Sequence, residues 1–189
     1  MKYLKLAPFL LTLLAALMFA ATVPYVSPNA FSLGSTSIRD GQTLSIKQVY
    51  NGMGAGGINL SPQLSWKKAP LGTKSLAITM FDPDAPTGSG WWHWVVFNIP
   101  AATRSLPEGA SLTSAMPDGC IESLTNFGKP GFGGAAPPPG DKPHHYIVTL
   151  YAVDVDHLDL NASTPPARVG ADLKKHTIAM VSIMGLYSR

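Results

Sequence analysis

The sequence predicts a mainly β domain with one or two short helices. Three observations carry that expectation. Apolar runs of strand length recur at Ser75 to Phe81, His93 to Ile99 and His145 to Val153, each bounded by turn-forming residues. Glycine (18) and proline (17) are abundant while charged residues make up only 13%, a composition suited to a compact fold with many turns. One stretch, opening at Pro165-Pro166 and running to about Lys175, has a helix start signal, because proline is tolerated in a first turn.

Taken in chain order, residues 1–30 stand apart. Lys2 and Lys5 precede an apolar run from Leu6 to Val23, interrupted at Pro8 and Thr12. A positive flank, a Leu/Ala-rich stretch and small residues behind it have the layout of a secretory signal. Ala20 and Ala21 offer cleavage positions, although Met18 and Phe19 fit poorly two residues upstream. The run is also nearly long enough to span a bilayer as an uncleaved anchor. The expectation is export, periplasmic or secreted, with residues 6–23 as an anchor in the alternative case. Residues 31–189 then form one domain, long enough for a sizeable core without disulfide staples.

Within that domain, Leu44 to Tyr50 alternates apolar with polar and reads as a half-buried strand. Asn51 to Gly57 carries four glycines and reads as a loop. Pro62 to Trp66 is a short strand, followed by a turn from Lys67 to Gly72 that contains Pro70. The long apolar runs of Ser75 to Phe81, His93 to Ile99 and His145 to Val153 predict central places in a sheet. Residues 100–143 hold most of the remaining glycine and proline. So long a region without regular structure is functional or tied down by packing. Thr177 to Leu186 fits a helix or a strand by periodicity alone, and no internal repeat appears.

Charge and cysteine usage exclude several classes of function. The net charge is +3, the pI is about 9.0, and no run of Lys or Arg exceeds two, so nothing supports nucleic-acid binding. The single cysteine, Cys120, forbids an intramolecular disulfide and a multi-cysteine metal site. It reads as a buried small hydrophobe or a free thiol.

Two segments carry the chemistry. Asp82-Pro83-Asp84-Ala85-Pro86 and Trp91-Trp92-His93-Trp94 place carboxylates, an imidazole and indoles on one connection between two strands. Pro83 and Pro86 stiffen it, and two prolines within four residues predict a cis bond at Asp82-Pro83, Ala85-Pro86 or both. The second segment runs from Gly131 through Gly133, Gly134, the prolines 137–139 and Gly140 to His144-His145-Tyr146 at the start of a strand. A rigid loop of acids, imidazole and aromatic rings is how a fold builds a small polar pocket with apolar walls.

Together the two segments resemble the motifs of the phosphatidylethanolamine-binding protein family, in its bacterial, Raf-kinase-inhibitor-like branch. The first block resembles D-P-D-A-P followed by W-x-H, and the second G-x-x-P-P-x-G followed by H-x-Y. Supporting fragments are Asn59 to Trp66, Gly72 to Ala77 and Gly185 to Arg189. The resemblance covers roughly residue 31 to the end. It implies a large central sheet packed against a smaller one, and a strand for Thr177 to Leu186. It also implies a small anion pocket for phosphate or a phospholipid head group, lined by Asp82, Pro86, Trp91, His93, Ala136, His144 and Tyr146. A kinase or protease partner and a homodimer enter only through the resemblance. Ala135-Ala136 stand where the family usually has a proline and often a cysteine. The chain also ends without the C-terminal helix of eukaryotic members, which implies a more open site.

The chemistry of these side chains is consistent with that pocket. His144 and Tyr146 are two apart and share a strand face. Imidazole N–H and phenol O–H groups donate to phosphoryl oxygens. A carboxylate beside an imidazole raises its pKa, so Asp82 is expected to hold His93 charged near neutrality; Asp82 can instead meet a cationic amine. Asp84 is expected to bond backbone N–H groups of its turn, and His145 to face away. Trp92 and Trp94 read as core, Trp91 as pocket wall, and Tyr146 equally as donor or as packing. Two rival readings are a hydrolase using Ser89 with His93 and Asp82, and a metal-dependent enzyme using Asp82, His93 and His144. Neither has a supporting motif, since there is no G-x-S-x-G elbow and no regular ligand spacing. The expectation is a non-enzymatic binding protein without cofactor or metal.

Overall fold

The computed structural model describes residues 30–189, so the expected export segment lies outside the described residues. The strands, in order, are β1 (Ser32–Gly34), β2 (Gln42–Thr43), β3 (Leu64–Lys67), β4 (Ser75–Asp82), β5 (Trp91–Pro100), β6 (Ser105–Leu106), β7 (Ile121–Glu122) and β8 (His144–Val153). Helix α1 (Pro166–His176) and strand β9 (Thr177–Tyr187) complete the chain. A six-stranded sheet runs β2-β9-β8-β4-β5-β7 and a three-stranded sheet runs β1-β3-β6. This is the mainly β, two-sheet architecture that the sequence led us to expect.

β4, β5 and β8 are central because both their faces are covered. Leu76, Ile78 and Met80 share one core with Trp94, Val96, Val148 and Leu150, against Leu64 and Trp66 of the small sheet. Ala77, Val95 and Phe97 face the opposite side, where Val169 and Leu173 of α1 pack. Two-sided burial explains the unbroken apolar runs in these strands. Each fully buried Leu or Ile contributes on the order of 2 kcal/mol, so this double layer fixes the strand ends that carry the site. The alternative for residues 177–187 resolves as strand, because β9 pairs with β8 from His144↔Tyr187 to Val153↔Thr177.

Two expectations fail. Leu44 to Tyr50 is not a strand. Ser45 caps a 3-10 helix at Ile46–Gln48, its hydroxyl accepting from the Lys47 N–H. The apparent alternation there is coincidental: Leu44 and Val49 are buried, Ile46 is 50% exposed, and polar Gln48 is fully buried. Nor is there a cis bond at Asp82-Pro83 or Ala85-Pro86, or elsewhere among the described residues. The Asp82 side chain makes the reversal instead. Its Oδ1 accepts from the Asp84 N–H at 2.8 Å and the Ala85 N–H at 3.1 Å, an Asx-type turn.

Candidate ligand-binding site

The end of β4 and the starts of β5 and β8 meet at one end of the large sheet. There Asp82, Pro86, Trp91, His93, Ala136 and His144 line a pocket of about 170 Å³. Three polar residues form its floor, and all are nearly inaccessible: Asp82 2%, His93 3% and His144 4% exposed. Tyr146 stands behind the pocket rather than on its lining. It is fully buried, and its ring meets the His93 ring edge-on at 5.1 Å. Its hydroxyl lies near the Asp82 carboxylate and the Ala136 backbone but has no hydrogen-bond partner. Burial, reinforced by the Asp82 charge, raises its pKa well above the ordinary phenol range, so the hydroxyl remains protonated.

The loop carrying Gly133 and Gly134 is drawn close to His93 by its own backbone bonds. The Gly133 N–H donates to the His93 carbonyl at 2.8 Å. Asn59 grips both sides of the loop, accepting from the Gly134 N–H at 2.7 Å and donating to the Phe132 carbonyl at 3.2 Å. Only glycine fits here: a Cβ at 134 would lie 2.4 Å from the Gln48 carbonyl oxygen, and one at 133 would lie 2.3 Å from the Phe127 ring. The close approach brings the Gly133 and Gly134 carbonyl oxygens to 2.8 and 3.1 Å from His93 Nδ1.

That contact corrects the expected Asp82–His93 pair. The partner of Asp82 is His144, whose Nδ1 donates to Asp82 Oδ2 at 2.8 Å, with Nε2 3.3 Å from Asp141 Oδ2. Burial opposes the charged form of His144, yet the bonds to Asp82 and Asp141 outweigh it and raise its pKa. His93 behaves in the opposite way. Burial is the largest influence and overrides the two carbonyls and the Asp82 charge, so its pKa falls to about 4 and the ring is neutral near neutrality.

The remaining aromatic and acidic residues divide between wall and frame. Trp91 is wall, meeting Phe127 edge-on at 5.4 Å, and its indole N–H is buried without a hydrogen-bond partner. Trp94 is core, and its indole donates to Glu122 at 2.7 Å. Trp92 packs on the α1 side of the sheet, 4.7 Å from the Phe81 ring. Asp84 is structural, but across strands rather than within its turn: Oδ2 accepts from the His145 N–H and lies 2.7 Å from its Nδ1. Sequence reasoning missed Phe127 and Met53 on the lining, and neither carries a motif that would have exposed it. Arg189 is legible in the sequence only as the last residue of the fragment Gly185 to Arg189. The Arg189 guanidinium donates to the carbonyls of Pro137 and Met53 and so is held against the backbone of two lining residues. Ser89 is exposed and is not on the pocket lining. Among the described residues, no group of three His, Cys, Asp or Glu is arranged to hold a metal ion.

The motif order and this pocket invite comparison with known proteins. A family model described as phosphatidylethanolamine-binding protein matches residues 34–188. The chain belongs to the phosphatidylethanolamine-binding protein family. One relative is the UPF0098 protein YbhB of Escherichia coli K12, 50% identical over 155 residues that cover 82% of this chain and 98% of YbhB. The UPF0098 protein YbcL of the same organism is 42% identical over 178 residues, covering 93% of this chain and 94% of YbcL. The crystal structure of E. coli YbcL, described as a new member of the mammalian family, matches with a TM-score of 0.83 at 43% identity. It covers 84% of this chain and 98% of that one. A homologue from Chlamydia trachomatis matches with a TM-score of 0.71 at 29% identity, covering 85% and 99%. Membership extends over the two-sheet domain and both motif blocks.

Proposed function

We propose that this protein is an exported, non-enzymatic binding protein whose pocket takes a phosphate-type anion, free or on a head group. The observation that carries this reading is the pocket floor. A buried His144, whose charged form is favoured by Asp82 and Asp141, is fixed beside neutral His93 under walls of Trp91, Phe127 and Pro137, with Arg189 bonded to the backbone of two lining residues. Buried charge with apolar walls strengthens attraction to a small anion and excludes bulky hydrated ones.

The absence of catalysis in this reading rests on where the nucleophiles lie. Thr87 is on the lining, but its hydroxyl donates to the Gly90 carbonyl at 2.7 Å. Cys120 belongs to a different cleft, and burial pushes its thiol up to about 11, far from a reactive thiolate. Export rests on the layout of residues 1–30. Calorimetric titration of the purified domain with inorganic phosphate and with phosphoethanolamine tests the binding claim. Saturable binding with loss in Arg189→Ala or His144→Ala supports it, and no heat at millimolar ligand with folded protein overturns it.

A further inference from the structure

The two carbonyls that hold His93 decide what kind of anion the pocket can accept. A carbonyl oxygen only accepts, so the proton of the neutral ring is on Nδ1, and Nε2 presents a lone pair. The backbone enforces this tautomer, because Asn59 and the Gly133 N–H bond keep both carbonyls in place. The groups facing His93 do not reverse it. Asp82 at the end of β4 and the two carbonyls favour a charged ring. His144 on β8 opposes one, Tyr146 presents its ring, Phe127 adds apolar wall, and burial dominates.

The neighbouring polar atoms are already engaged. Asp82 accepts through both oxygens, and His144 has a carboxylate at each ring nitrogen, Asp82 and Asp141. With Asp84 also close to this cluster, three carboxylates surround the single His144 imidazole, and they favour its charged form. Such a floor disfavours a dianion more strongly than a monoanion and leaves the His93 lone pair without a protein donor among the described residues. An anion whose oxygens are all deprotonated or esterified would set that lone pair against its own.

We propose that the pocket binds its phosphate as the monoanion that still carries a P–OH, and that this proton is donated to His93 Nε2. The site thereby selects phosphomonoesters and free phosphate over phosphodiesters, which have no P–OH to give. This rests on the anion-binding reading above and adds the proton to it. Because a phosphomonoester loses that proton near pH 6, its binding should weaken about tenfold per pH unit above that value.

The test is calorimetry with methyl phosphate and dimethyl phosphate, from about pH 5 to about pH 8, each in two buffers of different ionisation enthalpy. Methyl phosphate is expected to bind with uptake of about one proton above pH 6 and with the tenfold slope. Dimethyl phosphate, a monoanion throughout, is expected to bind at least about tenfold more weakly at pH 5, with no proton uptake. Equal affinities, or proton uptake with the diester as well, would overturn the proposal while leaving the anion pocket intact. Failure of both ligands to bind at millimolar concentration would overturn the pocket reading itself. Nitrogen-15 NMR of the free protein gives an independent check. A His93 ring with its proton on Nδ1 is expected, and one with its proton on Nε2 would overturn the proposal even if both ligands bind.

Discussion

Removing the Asp82 carboxylate would strand three donors at once: the N–H groups of Asp84 and Ala85, and Nδ1 of buried His144. Breaking a buried ion pair costs about 3–5 kcal/mol, and orphaned backbone donors add to it. Removing His93 leaves a cavity and two carbonyls short of one donor, a loss of about 2 kcal/mol. Asp82→Ala is therefore expected to lower Tm more than His93→Ala. Asp82→Asn, which keeps an oxygen for the turn, should fall between wild type and Asp82→Ala. The reverse order in thermal unfolding would mean that the 133–134 loop depends on His93 more than the turn depends on Asp82. Tyr146→Phe makes the opposite kind of prediction. It deletes a hydroxyl that is buried and unpartnered, so stability should be unchanged or higher. A loss of more than about 1 kcal/mol would show that the hydroxyl is bonded.

At the scale of elements, sheet and site were legible to different depths. β4, β5, β8 and α1 were readable because two-sided burial leaves long apolar runs and because Pro165-Pro166 marks a helix start. The pocket residues were readable as motif letters, yet their pairing was not. That Asp82 meets His144 and that His93 meets carbonyls depends on how closely the 131–134 loop approaches β5, which Asn59 sets from more than seventy residues away. The 44–50 segment misled because a period of two over seven residues arises readily, and the Ser45 cap was the better signal. The loop makes its own prediction. Gly134→Ala places a methyl group against the Gln48 and Tyr50 backbone, which cannot yield cheaply, and about 2–4 kcal/mol should be lost. Urea unfolding of this variant measures it; a loss below about 0.5 kcal/mol would show that the loop can retreat and that its hold on His93 is loose.

For the whole molecule, the two buried histidines give stability a pH dependence of opposite signs. Between pH 6.5 and about 4 the unfolded chain takes up a proton that folded His93 refuses, so stability falls as pH falls, by roughly 3 kcal/mol in all. His144 has a raised folded pKa. Its contribution is fully present below the unfolded value and is lost as pH rises through the folded one. His93→Gln should flatten the acid side of the profile, and a profile unchanged by that substitution would mean His93 titrates normally. The central claim is that the pocket at the ends of β4, β5 and β8 is where this protein holds a phosphate-type anion. The most direct measurement is a phosphate titration of the isotope-labelled domain followed by NMR at about pH 6. Saturable shifts centred on the ring signals of His93 and His144 and the indole N–H of Trp91 are expected. Shifts centred instead on the cleft around Cys120, or no saturable shift at all, would contradict it.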